Sequence, residues 1–204
     1  MTKNELIKNT NNAFEYIEKL YLESTFLIKE VEGMLAREPE EFIIGKPRGY
    51  QISALNSNGI EPQYVTMWMT KKFGVFFVPK SMANTGARSQ TVTPFEDTIR
   101  VFYMRFLLYG KNLKEPEVWS GVMYGFKDKY NEKPRKFEET MTGYEQYEKT
   151  YFAGFPHVDY EDTYIKFKGD FVSNHLFDIN NSDEIFSKVV EPALILFRSV
   201  PPLF

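Results

Sequence analysis

Tyr64 to Lys80 reads YVTMWMTKKFGVFFVPK, two apolar and aromatic-rich runs flanking Lys71-Lys72. The pattern predicts two strands, Tyr64 to Thr70 and Phe73 to Val78, joined as a hairpin. Side chains alternate along a strand, so Phe73, Val75 and Phe77 share one face while Gly74, Phe76 and Val78 share the other. Both faces are apolar. Such a strand belongs inside a sheet covered on both sides, and the rest of the chain is read outward from it.

A basic residue followed by Phe-Gly and further aromatics is roughly what an RNA-recognition motif displays on its central strand. Here the glycine expected directly after Lys72 is missing and the aromatics fall out of phase. That motif also requires a helix upstream, whereas GYQISALNSNGIEP (Gly49–Pro62) has no helical period. Nucleic acid is therefore not the favoured partner. A basic surface drawn from Lys71, Lys72, Lys80, Arg88, Lys127, Lys129, Lys133, Arg135 and Lys136 would bind phosphates without reading sequence.

Downstream, TIRVFYMRFLLYG (Thr98–Gly110) and VWSGVMYGF (Val118–Phe126) carry few charges and predict two central strands. DTYIKFKGDFV (Asp162–Val172) alternates in a way that suits an edge strand. Upstream, EFIIGKPRGYQISAL (Glu41–Leu55) predicts a strand, a glycine-proline turn and another strand. At the N-terminal end, Phe14, Ile17, Leu20, Tyr21, Leu27, Ile28, Val31, Met34 and Leu35 recur at spacings of three and four. That is the period of an amphipathic helix, about 11–37, capped by Asn11 or Asn12 and laid as one stripe on a sheet. The stripe is wider than a strict coiled-coil seam.

Phe137 to Phe152 shows weaker helical spacing. Ser182 to Val200 predicts a closing helix with Ser182 as N-cap and Pro192 as a kink or division. Short connections between neighbouring strands imply an antiparallel sheet of about six or seven strands, with the helices mainly on one face. The expected fold is one α+β domain over 1–204, with its sheet about 42–126 and a mixed part 137–204.

The 204 residues include no cysteine, which excludes disulfides, thiolate catalysis and cysteine-ligated metals. No signal-peptide pattern and no run of ~20 apolar residues is present, so a cytoplasmic location without membrane contact is expected. Charge is unevenly spread. Residues 71–136 hold 13 Lys+Arg against 6 Asp+Glu, and residues 137–204 hold 5 against 12. Such asymmetry supplies a basic face for an anionic partner or two complementary surfaces that meet within the fold or between subunits, and the second is the favoured reading.

Few residues suggest chemistry. There is no G-x-S-x-G elbow and no phosphate-cradling loop. The polar stretch Pro79–Asp97 is long for a connection, and long connections are often functional. Lys80, Arg88 and Ser89 within it, with Arg48 and Tyr50 after the glycine turn, make a candidate site for a small anion such as a nucleotide. His157, Asp159 and His175 are the alternative, a metal-dependent hydrolase site of two imidazoles and a carboxylate. The spacing matches no established ligand pattern, so no cofactor is expected. The leading expectation is a non-catalytic interaction or self-assembling module, working as a homodimer or with a protein partner.

Overall fold

The computed structural model describes residues 1–44, 70–84, 91–92, 98–110, 113–129 and 155–201. Helix α1 spans Lys3–Leu35, 33 residues and so ~50 Å long. It starts well upstream of Asn11 and Asn12, which lie within it. The cap is Thr2: its hydroxyl accepts from the Glu5 N–H, and the Glu5 carboxylate accepts from the Thr2 N–H. This reciprocal box satisfies two of the donors a helix start leaves free, which an asparagine farther along could not do. Only the second half packs. Leu27, Ile28, Val31 and Leu35 are buried, whereas residues 3–16 are exposed on every side.

Strands β1 (Phe42–Ile44), β2 (Lys72–Pro79), β5 (Val101–Leu107), β6 (Glu117–Asp128), β7 (His157–Glu161) and β8 (Ile165–His175) form a six-stranded antiparallel sheet. Its order is β1-β2-β5-β6-β8-β7. Two further short strands, β3 (Ala83–Asn84) and β4 (Thr91–Val92), pair as a separate ribbon within the long polar stretch. The expected fold class, antiparallel α+β, is the observed one. The opening stretch is β2, buried along most of its length between β1 and β5. Tyr64–Met69, its expected hairpin partner, lies outside the described residues, as do Gly45–Leu55 and Phe137–Phe152.

The expected edge strand is instead interior. β8 lies between β6 and β7, and β7 is the edge. HVDYE reads as an acidic loop by composition. However, Val158 faces inward and the acids Asp159 and Glu161 stand opposite Lys168 and Lys166 across the β7–β8 hairpin. Opposite charges on facing strands stabilise an edge that composition alone would assign to solvent.

β6 contains a bulge. Register with β8 shifts between Tyr124 and Lys127, and Gly125 has φ +62°. The extra residue reverses the alternation. Tyr124 packs on the helix side of the sheet, and Phe126, two residues on, packs on the opposite side.

The C-terminal helical stretch has three parts: α2 (Ser182–Glu184), a π-helical turn (Ile185–Val190) and α3 (Glu191–Ser199). Its cap is Asn181, whose side chain accepts from the Glu184 N–H; Ser182 instead donates to Glu30 of α1. Pro192 divides the helix as its chemistry requires. Lacking an N–H, it leaves the Lys188 carbonyl without an i+4 donor, and the Asn174 side chain of β8 supplies one at 2.8 Å. The neighbouring Val189 carbonyl accepts from the buried Ser120 hydroxyl at 2.8 Å.

α1 and α3 cover one face of the sheet. Leu27, Val31 and Leu35 meet Phe42, Phe77, Phe102 and Phe106, and Val189, Leu194 and Phe197 close over them. Phe197 is edge-on to Phe42 at 4.9 Å. The opposite face buries a second set, including Phe76, Tyr103, Met123, Phe126, Phe167 and Phe171. Each fully buried side chain of this size contributes about 1.5–3 kcal/mol.

Candidate functional site

The first half of α1 leaves most of its large apolar side chains exposed. Leu6 is 48% exposed, Ile7 51%, Phe14 61% and Tyr16 54%. Scattered exposed apolar residues are ordinary, but four large ones within eleven residues of one helix form a patch. The sheet ends where α1 runs past it, and a pocket of ≈ 370 Å³ opens at that root. Tyr16, Ile17, Leu20 and Tyr21 form its helix side; Leu108 and Tyr109 form the sheet side.

Its walls are fixed by contacts. The Tyr21 hydroxyl donates to the Thr70 carbonyl at 2.7 Å, and burial pushes its pKa up. The Leu108 N–H donates to the Lys71 carbonyl at 2.8 Å, and the Lys71 ammonium lies 5.4 Å from the Tyr109 ring centre. Among the described residues that line the pocket there is no carboxylate pair, imidazole or hydroxyl positioned by a base. It can hold an apolar side chain; acid–base work has no apparatus there.

Sequence reasoning passed over Arg105. It sits mid-strand in β5 at 1% exposure, its guanidinium 5.9 Å from the Trp119 ring centre. Burial pulls its pKa down to about 9, which leaves it charged at neutral pH. Trp119, Phe155 and Phe171 continue as a stacked aromatic row across that face. One charged residue in an otherwise apolar central strand was the signal that marks it.

Of the predicted anion site, Arg48, Tyr50, Arg88 and Ser89 lie outside the described residues. Lys80 follows β2, where its N–H donates to the Glu41 carbonyl at 3.2 Å and its ammonium pairs with the Glu41 carboxylate. Its charge is thus already matched within the fold.

The histidines are held apart. His157 Nδ1 lies 2.6 Å from Asp170, opposite it on β8; His175 Nδ1 lies 3.3 Å from Glu115. Asp170 and His175 are five positions apart along β8, roughly 17 Å. Asp159 shares the His157 side of β7 but faces Lys168 at 3.6 Å. Among the described residues, no group of three His, Asp or Glu side chains is spaced to hold a metal. Asp170 also accepts from the Tyr124 hydroxyl at 3.0 Å; burial and that carboxylate push Tyr124 up to about 12.

The proposed basic surface is divided. Strand register places Lys71 and Lys72 at one end of the sheet, and Lys80, Lys127 and Lys129 at the other. Lys129 is paired with Glu161, which Lys166 also contacts at 2.8 Å; the two ammonium groups pull that carboxyl down to about 2. Among the described residues, no helix is long and apolar enough to cross a membrane.

No family model, curated protein or solved structure matches the chain. The geometry of the α1 root and its projecting half is therefore what bears on function.

Proposed function

We propose that the protein is a non-catalytic interaction module whose binding element is the projecting half of α1. The observation that carries this is the large apolar side chains of residues 6–16, exposed along a helix whose continuation buries Leu27, Ile28, Val31 and Leu35 while Leu22 and Phe26 stay exposed. Burying the exposed side chains against a partner recovers the free energy that exposure withholds, about 25 cal/mol for each Å² covered. The helix is specified at its start by its own capping box rather than by contacts with the body, so the binding surface is formed in advance.

The small-anion reading draws less support, since Lys80, its one described residue, is engaged by Glu41. A photoreactive phenylalanine analogue tests the proposal when placed at Phe14 and, separately, at the neighbouring polar position Glu15. Covalent capture of protein concentrated at position 14 is the expected result. Equal capture at both positions, or none at either, would refute it.

A further inference from the structure

We infer that the partner of the α1 arm is a second copy of this chain, paired antiparallel. The inference rests on the interaction reading above and names the occupant of that surface. Leu6, Ala13, Leu20, Leu27 and Met34 stand seven apart, and Thr10, Ile17, Ser24 and Val31 fill the intervening seam. This is a heptad spacing, with Thr10, Ala13 and Ser24 as its small or polar members, that continues from the exposed half into the packed half. From Ser24 onward the seam lies on its own sheet. Before Leu20 the seam residues are exposed, apart from the half-buried Ile17 at the pocket.

The seam is complementary to itself when reversed. Antiparallel pairs set each seam position of one type against the other type. With the twofold axis between Thr10 and Ala13, Leu6 meets Ile17 of the second copy and Thr10 meets its Ala13. The small alanines let the helices approach closely at the centre. The flanking residues then pair by side: Ile7 faces Phe14, and Asn9 faces Tyr16. Leu6 and Ile7 of the second copy thereby enter the pocket of ≈ 370 Å³ beside Tyr16, Ile17 and Leu20. All four exposed apolar residues are covered in this one register, and Lys8, Glu15 and Glu18 remain outward.

Charge favours the same direction. Residues 3–8 carry Lys3 and Lys8 against Glu5, and residues 15–18 carry Glu15 and Glu18. Antiparallel arms set the net-basic end of each at the level of the acidic stretch of the other, a longer-range and salt-screened preference because Lys8, Glu15 and Glu18 face outward; parallel arms set like at the level of like. The area is sufficient as well. Each of the four side chains offers on the order of 100 Å². Doubled across the axis, with the pocket rim added, the total approaches the roughly 1,000 Å² of a specific interface. A closed twofold is also the commonest assembly for identical chains.

The absence of cysteine makes the test clean. Leu6→Cys and Ile17→Cys are prepared as separate full-length proteins and exposed to diamide, alone and mixed. The expected result is a disulfide-linked dimer in the mixture and little in either protein alone. A dimer from Leu6→Cys alone would mean parallel arms and overturn the proposal. No dimer in any tube, with native mass spectrometry giving the monomer, would overturn self-pairing altogether. In that case capture of a different protein at position 14 would leave the interaction reading standing without this partner, and no capture would remove both. Leu6→Glu with Phe14→Glu is expected to weaken dimerisation at least 100-fold while leaving the thermal midpoint of the monomer unchanged.

Discussion

Ser120 ties two elements together with one hydroxyl. It is buried at 1% exposure and donates to the Val189 carbonyl, a group inside the π-helical turn. Ser120→Ala should therefore cost about 1–3 kcal/mol, because the carbonyl stays buried without that donor. Urea unfolding would measure it; a change under 0.5 kcal/mol would mean that water or another donor replaces the hydroxyl. Gly121, next along the strand, is constrained differently. A Cβ there would fall 2.0 Å from the Asp170 carbonyl oxygen and 2.8 Å from the Phe171 Cα, both backbone atoms that cannot step aside. Neither role is legible in VWSGVMYGF, because both depend on which segment lies across the strand. Arg105 is the converse: its oddity is visible in sequence, its neighbour Trp119 only in the register of β5 and β6.

At the scale of elements, the bulge in β6 decides which residues reach which core. Gly125 holds φ +62°, and an added Cβ would meet nothing within 4 Å. Only backbone strain opposes a side chain, so Gly125→Ala should cost about 1–2 kcal/mol. Gly125→Asn should cost less, since asparagine tolerates the left-handed region. Equal losses for the two would point to packing instead. Composition identified β2, β5 and β6 because their apolar runs are continuous. The alternation of DTYIKFKGDFV placed β8 at the edge, and β7 beyond it went unread because its acids and histidine resemble a loop while the lysines that match them lie on the other strand of the hairpin. The α1 stripe was legible as a period of three and four, but periodicity does not say how much of a stripe has something to cover it. The exposed half of the helix, where the candidate site lies, needed the sheet's length to be known.

For the whole molecule, charge pairs join segments that composition sets apart. Arg198 of α3 reaches Glu38 and Glu40 after α1, both at 2.8 Å, and holds the Glu40 carboxyl below its ordinary range. Lys129 and Lys166 do the same to Glu161 at the opposite edge of the sheet. For carboxylates lowered in this way, the contribution to stability is complete above their usual value near 4.5 and is lost as pH falls, through about 2 for Glu161. Glu161→Gln should accordingly lower stability at neutral pH and flatten the acid side of the profile between those values, so that the two proteins converge near pH 2. Thermal melts across a pH series would check it, and an unchanged acid limb would contradict the assignment. The uneven charge along the chain thus resolves partly inside the fold: Lys80 with Glu41 and Lys129 with Glu161 each join the basic middle to an acidic flank.

Glu40 and Arg198 stand 158 positions apart, yet they meet, and the core beneath them needs Leu27 to Leu35 and Val189 to Phe197 together. On the ribosome that separation becomes time. At ~5–20 residues per second, the apolar side of α1 and the face of the sheet beneath it wait on the order of ten seconds or more for α3 to be made. Throughout that interval the nascent chain displays the whole heptad seam, including the part that the finished fold hides. A chaperone, or a neighbouring nascent chain on the same message, would meet a longer sticky surface than the mature protein ever shows.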